Sequence, residues 1–514
     1  MNAASLSNLH RCALSVLAGA LAALCFNPLN FWLLGPLAVA LLYVVVASSS
    51  LRQASWYGWL FGLGYFGVGT SWIYVSINQY GNAGTLLSVL ITVLFVVMLA
   101  LFCALQTWSF KKYAAGHLPF LGFTATWVLV EWLRGWLFTG FPWLYVGSAH
   151  VTTLFSGIAP VFGVFGISFA LVLSGALVGE LILRCNKPVS LPALFKTQLP
   201  TALVLIWMLA FASGQLEWVQ PRDEALTVGI VQGNIAQSVK FQADALQQSL
   251  DTYDILSAPL WESDLVVWPE TAIPMAYQNA GRVLDYFTAQ ANDYNSTLIT
   301  GIFWAKDNEI HNSITALGAG SGIWHKQKLV PFGEYVPFRS LLSNLLQLFA
   351  LPMSSLSPGP RQQELLKVGE FQVATFICYE VVYPDFVREF GRDADFLLTI
   401  SNDTWFGASW GPWQHLQIAA MRALELGRYM VRATNDGVSA LIDERGNILA
   451  QSAQFQEDTL QGKIQLFEGN TPFARWGSTP VLLLSLFLFL MNLYPFRRRD
   501  AAAGMPPGKQ PLKR

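Results

Sequence analysis

Eight apolar runs constrain the fold of this chain more than any other feature of its sequence. A helix that crosses a bilayer needs roughly 20 predominantly apolar residues. Hydrophobic residues make up 53% of the 514 residues and charged residues only 12%, which is typical of a membrane protein and not of a soluble one. The sequence therefore predicts a polytopic α-helical membrane domain with eight spans. The runs lie at about 12–28, 31–48, 56–78, 85–109, 118–140, 159–183, 198–215 and 478–495.

The first apolar run also has features of a cleaved signal peptide, because His10 and Arg11 precede an Ala-rich core. The second run follows at once, as in a hairpin of two helices, and this favours a membrane span. Both interpretations stay open from the sequence, and the count of eight spans includes the first run.

Lysine and arginine residues concentrate in alternate loops between the apolar runs, which sets the expected orientation in the membrane. Cytoplasmic loops carry an excess of these residues. The intervening loops, near Pro28 and at 78–83, carry none, so we expect both termini in the cytoplasm. The loop cations are Arg11, Arg52, Lys111, Lys112, Arg184, Lys187, Lys196, Arg497, Arg498 and Arg499. The predicted domains are a membrane domain over 1–217 with spans one to seven, an extracytoplasmic domain over 218–476, span eight over 477–496 and a basic cytoplasmic tail over 497–514.

The extracytoplasmic region alternates short runs typical of β-strands with runs typical of helices. Period-two alternation of apolar residues indicates strands, and a 3.6-residue period indicates helices. The alternation predicts an α/β domain in which sheets are buried under helices. The predicted strands are 225–231, 264–268, 297–303, 313–317, 322–325, 371–378, 396–401, 430–434 and 439–443, and the predicted helices are about 242–258, 280–293, 382–390 and 412–427.

Cys378 ends one of these predicted strands, at the point where a loop begins. Rigid scaffolds present reactive groups at such positions. The other four cysteines lie in or beside apolar runs, so Cys378 is the only cysteine of the polar domain. An unpaired thiol in an oxidising compartment is a liability unless its chemistry is used. We therefore expect a reactive cysteine here.

Two glutamates and a lysine lie in two other distinctive stretches. Glu270 lies in VVWPETAIP, and Lys326 opens KQKLVPFGEYVP, which contains Glu334. A thiol that attacks an acyl carbonyl needs a base for its proton and a positive or donor group where the oxyanion forms. Glutamate and lysine supply those two roles, and a nearby ammonium also lowers the pKa of a thiol. The alternatives are a turn-capping Glu270, a solvated Lys326 and an inert, buried Cys378.

The motifs WPE, KxxLVPFGE and CYE, in this order, resemble the nitrilase (carbon-nitrogen hydrolase) superfamily, and the eight-span framing is similar to its membrane-bound branch, the apolipoprotein N-acyltransferases. The resemblance implies an α-β-β-α sandwich on a membrane base. It also implies that Glu270 is the general base, Lys326 the oxyanion stabiliser and Cys378 the nucleophile. Lys326 is preferred to Lys328 because the family's lysine stands eight residues before the glutamate of PFGE. The supporting positions that it implies are Glu334, which either orients Lys326 or touches substrate, Tyr379, Glu380, Asn312 and Phe241, where the family usually has a tryptophan and the indole N–H is lost.

The same resemblance implies an enzyme of the bacterial inner membrane with a periplasmic catalytic domain. It would move an acyl chain from a membrane phospholipid, through a cysteine thioester, to the α-amino group of the N-terminal diacylglyceryl-cysteine of an apolipoprotein, the last step of bacterial lipoprotein maturation. No cofactor or metal is expected, because no metal-ligand spacing occurs. A net charge of −1 predicts no nucleic-acid partner, and a monomer is the default expectation. The alternatives are a membrane-tethered amidase or nitrilase with water as acceptor, and a lipid-binding or transport protein on an inactive scaffold.

Three further features bear on the site. An apolar stripe over 340–351 predicts either core packing or a lid lying on the bilayer or on acyl chains. Glu131 and Arg134, three residues apart near membrane depth, predict a pair on one helical face or a contact with a lipid head group. A catalytic histidine, His311 or His415, is not favoured, because the helix that carries His415 is expected to pack its apolar residues inward.

Overall fold

Helices occupy the N-terminal part of the chain, and two β-sheets occupy the part between its seventh and last apolar runs. The computed structural model describes residues 7–81, 84–185, 198–240, 242–337 and 356–493. The first eight helices are α1 (Asn8–Ala23), α2 (Leu34–Ala47), α3 (Leu51–Gly69), α4 (Trp72–Val75), α5 (Thr85–Ser109), α6 (Pro119–Arg134), α7 (Ala159–Cys185) and α8 (Gln198–Ser213). Each of the first seven predicted apolar runs overlaps at least one of these helices.

Two helical segments among the described residues are long and apolar enough to cross a membrane, Thr85–Ala114 and Ser156–Cys185. A third qualifies if the helices Leu51–Gly69 and Trp72–Tyr80, which meet at a bend of 55°, form one span. Three more helices, among them Thr479–Leu493, are apolar but shorter. Apolar helices therefore occupy the predicted runs, whereas the count of eight spans is not confirmed.

The rest of the described chain supplies six helices and thirteen strands. The helices are α9 (Ala243–Ser257), α10 (Gly281–Asp293), α11 (Pro384–Gly391), α12 (Gly411–Leu426), α13 (Pro472–Trp476) and α14 (Thr479–Leu493). The strands are β1 (Gln220–Gln232), β2 (Leu265–Val267), β3 (Ile273–Ala276), β4 (Thr297–Lys306), β5 (Glu309–Gly318), β6 (Ile323–His325), β7 (Leu366–Val368), β8 (Phe371–Ile377), β9 (Phe396–Ser401), β10 (Met430–Thr434), β11 (Ala440–Ile442), β12 (Ile448–Gln451) and β13 (Asp458–Glu468). All nine predicted strands and four predicted helices coincide with observed ones, and β3, β7, β12 and β13 were not predicted.

The strands form two mixed sheets. The first sheet has the order β13-β1-β2-β4-β5-β6, with β3 beside β4, and the second has the order β12-β11-β10-β9-β8-β7. Strands β1, β2 and β4 are parallel to one another, as are β8, β9 and β10. Because parallel strands end at the same edge of a sheet, each sheet gathers the loops that follow its central strands.

The two sheets pack face to face, with helices on their outer sides. Ile230 of β1 joins the same buried cluster as Leu398 of β9 and Val431 of β10, and this cluster forms the core between the sheets. The adjacent Val231 points the other way and packs in a second cluster with Phe287 of α10. This alternation follows from the two-residue period of a strand. The domain is therefore a layered α-β-β-α sandwich, as the resemblance implied.

Helix α12 lies between the second sheet and the N-terminal helices. All of its residues except Trp413 are buried, including the apolar residues that the sequence analysis expected to point inward. Three of its polar side chains, Gln414, Gln417 and Glu425, hold backbone or side-chain groups of the N-terminal half. Glu425 accepts a hydrogen bond from the Val164 backbone N–H (2.7 Å), and Gln414 accepts one from the Trp143 indole (2.7 Å). This buried helix thus joins the α/β layers to the N-terminal helices.

Arg134 and Glu131 of α6 hold the segment that follows α6, in place of the expected ion pair with each other. The Arg134 guanidinium is buried and donates to the backbone carbonyls of Phe141 (2.8 Å) and Leu144 (3.1 Å), and also to that of Trp143. Glu131 accepts from the Val146 backbone N–H at 2.8 Å. The guanidinium is engaged by backbone carbonyls, so the predicted contact with a lipid head group is not supported. The pair fixes residues 141–146 instead.

Candidate active site

Polar side chains meet where strands of the two sheets end. Cys378 directly follows β8, and Asp403 lies just beyond β9, the parallel neighbour of β8. In the first sheet, Glu270 lies shortly after β2 and Lys326 directly after β6. Cys378 has φ of 51°, in the left-handed region that a non-glycine residue adopts at a cost of order 1–3 kcal/mol. Its surroundings must therefore hold this backbone in place.

Lys326 lies between two carboxylates in the first sheet. Its ammonium Nζ is 2.7 Å from Oε1 of Glu334 and 3.4 Å from Oε1 of Glu270, and all three side chains are buried. Asn312 of β5 joins them, because its Nδ2 donates to Glu270 (2.7 Å) and lies 3.4 Å from Glu334. The other oxygen of Glu334 accepts from the Val330 backbone N–H at 2.7 Å. Both Glu334 oxygens are therefore used in holding Lys326 and its own loop.

Glu270 is held from both sheets. Its Oε2 accepts from the backbone N–H of Asn402, beyond β9, at 2.7 Å, while Oε1 faces Asn312 and Lys326. Its backbone carbonyl accepts from the buried Nζ of Lys240 at 2.9 Å. Burial lowers the pKa of Lys240 to about 8. The carboxylate is thus fixed at the junction of the two sheets, on the side of Cys378.

The charges of the Lys326 cluster act on Cys378. Burial raises the pKa of the Cys378 thiol, the negative charge of Glu270 raises it further, and Lys326 only partly opposes them. Burial disfavours the Lys326 ammonium, but the carboxylates of Glu334 and Glu270 outweigh burial and raise its pKa. The resting site is therefore a neutral thiol beside a carboxylate and an ammonium. The sequence predicted that Lys326 lowers the pKa of the thiol. It does, but burial and Glu270 raise this pKa by more.

Glu380 ties the loop of Cys378 to the stretch of Lys326. Its Oε1 accepts from the backbone N–H groups of Gln327 (2.7 Å) and Lys328 (3.2 Å), and its Oε2 accepts from Ile377 N–H (2.8 Å). The side chain is fully buried, and burial, only partly opposed by these hydrogen bonds, raises its pKa to about 7. Oε2 also accepts from the Trp324 indole N–H at 3.3 Å. Because all of these contacts are to structural groups of the protein, the geometry favours a supporting role for Glu380.

The other predicted positions divide between the site and its surroundings. Tyr379 is buried, with its ring 5.5 Å from that of Tyr383 in an edge-to-face contact. Lys328 turns away from the carboxylates, with its ammonium 5.4 Å from the centre of the Tyr383 ring. Lys328 is two residues from Lys326, a spacing that puts side chains on one face of a strand, but β6 ends before both residues, so strand alternation does not apply to them. Phe241 and the apolar stripe at 340–351 lie outside the described residues.

A second buried cluster, which the sequence analysis did not predict, lies on the other side of Cys378. The ring Nδ1 of His415 is 3.1 Å from Asp403 Oδ1, and Asp403 Oδ2 accepts from Arg432 at 2.6 Å. Ser401 also donates to Asp403, at 2.6 Å. His415 Nε2 is 3.1 Å from the Cys378 backbone carbonyl. A polar loop after β9 and a histidine on an apolar helix gave no signal that they would meet.

Ligand atoms of Cys378, Asp403 and His415 lie within 4.8 Å of one another, a spacing that a metal ion would require. Both ring nitrogens of His415 and both oxygens of Asp403 already have protein partners. The guanidinium of Arg432 would also face a bound cation. These three residues therefore suit a hydrogen-bond network better than a metal site.

Comparison with known proteins finds relatives along nearly the whole chain. Residues 18–177 match the model of the apolipoprotein N-acyltransferase N-terminal domain, and residues 227–469 match that of the carbon-nitrogen hydrolases. An apolipoprotein N-acyltransferase of Pseudomonas syringae is 43% identical over 486 residues, which cover 93% of this chain and 95% of the relative. One of Pseudomonas putida is 42% identical over 485 residues, which cover 92% and 95%. This chain belongs to the apolipoprotein N-acyltransferase family.

A solved structure of a carbon-nitrogen hydrolase superfamily protein from Xanthomonas campestris is also similar. It is 18% identical, and the similarity covers 47% of this chain and 91% of that one with a TM-score of 0.36. The family membership confirms the resemblance stated from the three motifs and rests on the matches in sequence.

Proposed function

We propose that this protein moves an acyl chain from a membrane phospholipid, through a thioester on Cys378, to the α-amino group of the N-terminal diacylglyceryl-cysteine of an apolipoprotein. Membership of the apolipoprotein N-acyltransferase family supports this reaction class. The observation that carries the assignment of residues is the buried Lys326–Glu270–Glu334 cluster, whose charges act directly on Cys378. A reactive thiol, a fixed carboxylate and an ammonium are the groups that acyl transfer needs.

In the first half-reaction, Sγ of Cys378 attacks the ester carbonyl of the phospholipid while its proton passes to Glu270. Lys326, together with the Tyr379 backbone N–H, stabilises the oxyanion of the tetrahedral intermediate. The C–O bond then breaks, Glu270 returns the proton to the leaving oxygen, and a lysophospholipid departs. Because the resting thiol is neutral, the proton has to move during attack, which is the task of a general base.

In the second half-reaction, the amino group of the apolipoprotein cysteine attacks the thioester carbonyl. Glu270 takes a proton from the nitrogen, the C–S bond breaks, and the thiolate recovers that proton from Glu270. The products are an amide and the free thiol, so the enzyme returns to its starting state. Glu334, with both oxygens occupied by Lys326 and by backbone, orients the lysine; Asn312 holds both carboxylates, and Glu380 holds the nucleophile loop.

Mass spectrometry of the purified protein incubated with phospholipid alone tests this proposal. We expect an acyl group on Cys378 and one lysophospholipid released for each thioester formed. Cys378→Ser should form no thioester, and apolipoprotein added to the acylated wild type should discharge it. Acyl transfer that persists undiminished in Cys378→Ser would overturn the nucleophile assignment.

The same experiment separates acyl transfer from amide hydrolysis. A membrane-tethered amidase with the same three residues would release ammonia from small amides and would form no lysophospholipid. An inactive lipid-binding scaffold would bind phospholipid without labelling Cys378. Either result would contradict the proposed reaction.

We propose further that the helices at all eight apolar runs cross the bacterial inner membrane, with both termini cytoplasmic and residues 218–476 periplasmic. Large apolar side chains on the outer surfaces of these helices support this arrangement, because a soluble protein rarely exposes such patches. Leu90 and Leu94 of α5 are 56% and 59% exposed, and Leu483 and Phe487 of α14 are 59% and 58% exposed. Lipid tails would cover these surfaces.

A membrane-impermeant maleimide tests the orientation. Cys185 is exposed at the end of α7, on the side that we assign to the cytoplasm. Asp307, in the exposed turn between β4 and β5, lies in the domain assigned to the periplasm. In a Cys378→Ser background in spheroplasts, an added Asp307→Cys should be labelled, whereas Cys185 should react only after the membrane is opened. The reverse pattern would overturn the orientation.

A further inference from the structure

His415 contacts the backbone of the proposed nucleophile and not its thiol. Its Nε2 lies 3.1 Å from the Cys378 carbonyl oxygen. Its Nδ1 lies 3.1 Å from Asp403 Oδ1 and 3.2 Å from Arg432 Nη2. All three side chains are buried, so water does not compete for these contacts.

The partners of His415 determine where its proton resides. Burial and the positive charge of Arg432 lower the pKa of His415, which keeps the ring neutral. A backbone carbonyl only accepts hydrogen bonds, so the nitrogen that faces Cys378 must carry the hydrogen. Nδ1 lies between a donor, Arg432 Nη2, and an acceptor, Asp403 Oδ1, so its contacts are compatible with a nitrogen that carries no hydrogen, whereas the contact of Nε2 is not. A neutral ring is therefore the Nε2–H tautomer.

The carbonyl that His415 holds belongs to the peptide between Cys378 and Tyr379. A peptide unit is planar and trans, so its C=O and N–H point in opposite directions. Fixing the Cys378 carbonyl therefore fixes the direction of the Tyr379 N–H, which is the proposed backbone donor to the oxyanion. The positive φ of Cys378 (51°) makes such a restraint necessary, because an unrestrained cysteine would relax to a commoner conformation.

We propose that His415 is a positioning residue for acyl transfer, whose Nε2–H holds the Cys378 carbonyl and thereby aims the Tyr379 N–H at the oxyanion. The inference rests on the proposed function, because it takes Cys378 as the nucleophile. Asp403 and Arg432 hold the ring, and His415 does not take the thiol proton.

The membrane domain supports the same ring. Trp143 packs against His415 with ring centres 5.6 Å apart, and its indole N–H donates to the adjacent Gln414 at 2.7 Å. The backbone carbonyl of Trp143 is one of the three that Arg134 holds. A buried arginine of α6 is thus linked, through Trp143 and His415, to the peptide that follows the nucleophile. The membrane domain is part of the active-site scaffold as well as an anchor.

Two amide substitutions test the proposal in the full-length protein. In His415→Gln, the amide nitrogen can occupy the place of Nε2 and donate to Cys378. In His415→Asn, the shorter side chain cannot reach that carbonyl. Loss of one oxyanion donor typically costs about 10²- to 10³-fold in rate. We therefore expect thioester formation to fall by about 100-fold in kcat in His415→Asn, with little change in KM. We expect His415→Gln to retain most of the wild-type rate.

Alkylation of Cys378 by iodoacetamide is the control that distinguishes a positioning role of His415 from a merely structural one. Alkylation displaces iodide and forms no oxyanion, so its rate and its pH profile should be similar in both variants and in the wild type. A parallel loss of acylation and alkylation in His415→Asn would overturn the proposal. An equal loss of acylation in both variants, at matched thermal stability, would also overturn it.

Nitrogen NMR of the wild-type protein with labelled histidine gives a test that needs no variant. We expect His415 to carry its hydrogen on Nε2, and a ring protonated on Nδ1 alone would contradict the proposal even if both variants fail to fold. Failure of this proposal can be told apart from failure of the proposed function. If the proposed function were wrong, the wild type itself would form no thioester, but the tautomer of His415 would be the same.

Discussion

Two buried charge clusters lie on opposite sides of Cys378, and they are built differently. The cluster of the first sheet contains one ammonium, Lys326, between the two carboxylates of Glu270 and Glu334. The cluster of the second sheet contains one guanidinium, Arg432, beside one carboxylate, Asp403, with a neutral histidine. In the first, two carboxylates face the same ammonium, with Lys240 held at the Glu270 backbone, whereas in the second one carboxylate is paired with one guanidinium.

This difference indicates a division of labour. In the first cluster, Lys326 lies closer to Glu334 (2.7 Å) than to Glu270 (3.4 Å), so Glu270 is the less tightly paired carboxylate and is available to take a proton from the thiol. In the second, the positive charge of Arg432 holds the pKa of Asp403 below its usual range although burial alone would raise it. A carboxyl in that state is a poor base. We therefore assign chemistry to the first cluster and geometry to the second, and the variants below test that assignment.

Glu270→Gln should have the largest effect on the reaction. The amide keeps the size of the side chain but cannot accept the thiol proton, and loss of a general base typically costs about 10²- to 10⁴-fold in rate. Stability should fall by about 1–3 kcal/mol, because the amide nitrogen faces either the Asn402 N–H or the Lys326 ammonium. Single-turnover thioester formation and thermal unfolding measure the two effects. Thioester formation at the wild-type rate would mean that a residue other than Glu270 is the general base.

Lys326→Met should lower both rate and stability. The loss of an oxyanion donor costs about 10²- to 10³-fold in rate. Two buried carboxylates also remain without their cation, which typically costs about 3–5 kcal/mol.

The double variant Lys326→Met/Glu334→Gln separates the two effects of Lys326. Removing one negative charge together with the positive one should restore much of the stability, whereas thioester formation should stay at the level of the single variant. If the double variant recovers activity along with stability, Lys326 acts through folding and not through the oxyanion.

Asp403→Asn should mainly affect stability, in contrast to the variants of the first cluster. The change leaves the buried guanidinium of Arg432 without its carboxylate, which typically costs about 3–5 kcal/mol. Thioester formation should fall less than in Glu270→Gln, because no proton passes through Asp403. Asp307→Asn, in an exposed turn, is the matched control and should change neither property. An acylation loss in Asp403→Asn as large as in Glu270→Gln would contradict the division of labour.

Patterns local in the sequence predicted most of the catalytic fold. Apolar alternation predicted strands such as 371–378 and 430–434, because each of them is buried against helices or the other sheet. The strands that were missed are short, as in β7 (Leu366–Val368), or exposed, as in β12 (Ile448–Gln451). The residues of β12 are exposed or half-buried, so no apolar period marks it. In the N-terminal part of the chain, composition located the apolar helices, but whether each one crosses a bilayer depends on length and packing that composition does not report.

The first cluster was predictable and the second was not, for a physical reason. Glu270, Lys326 and Cys378 lie in stretches whose sequence is specific to a family, so resemblance brought them together. Asp403 and His415 look like a turn residue and a polar residue on an apolar helix. They meet only because β9 runs beside β8 and α12 packs over both. That proximity depends on the order of strands in the sheet, which no local pattern encodes.

Glu380 links the loop of Cys378 to the stretch of Lys326. Its substitution should have the smallest effect on the acylation rate, and its effect on stability should depend most on pH. Its pKa in the folded protein is about 7, against 4.5 for an ordinary glutamate. A carboxyl whose pKa is raised by folding contributes stability that is fully present below pH 4.5 and is lost as the pH rises through 7. The whole loss is about 3 kcal/mol.

Glu380→Gln should therefore flatten the decline of thermal stability between pH 5 and pH 8. Glu425 also has a raised pKa, of about 7, and it contributes a decline of the same sign that persists in the variant. The difference between the two pH profiles isolates Glu380. Identical profiles would mean that Glu380 has an ordinary pKa. The variant should also keep most of its acylation rate, because Glu380 holds the backbone of Ile377 and Gln327 and meets no reacting atom.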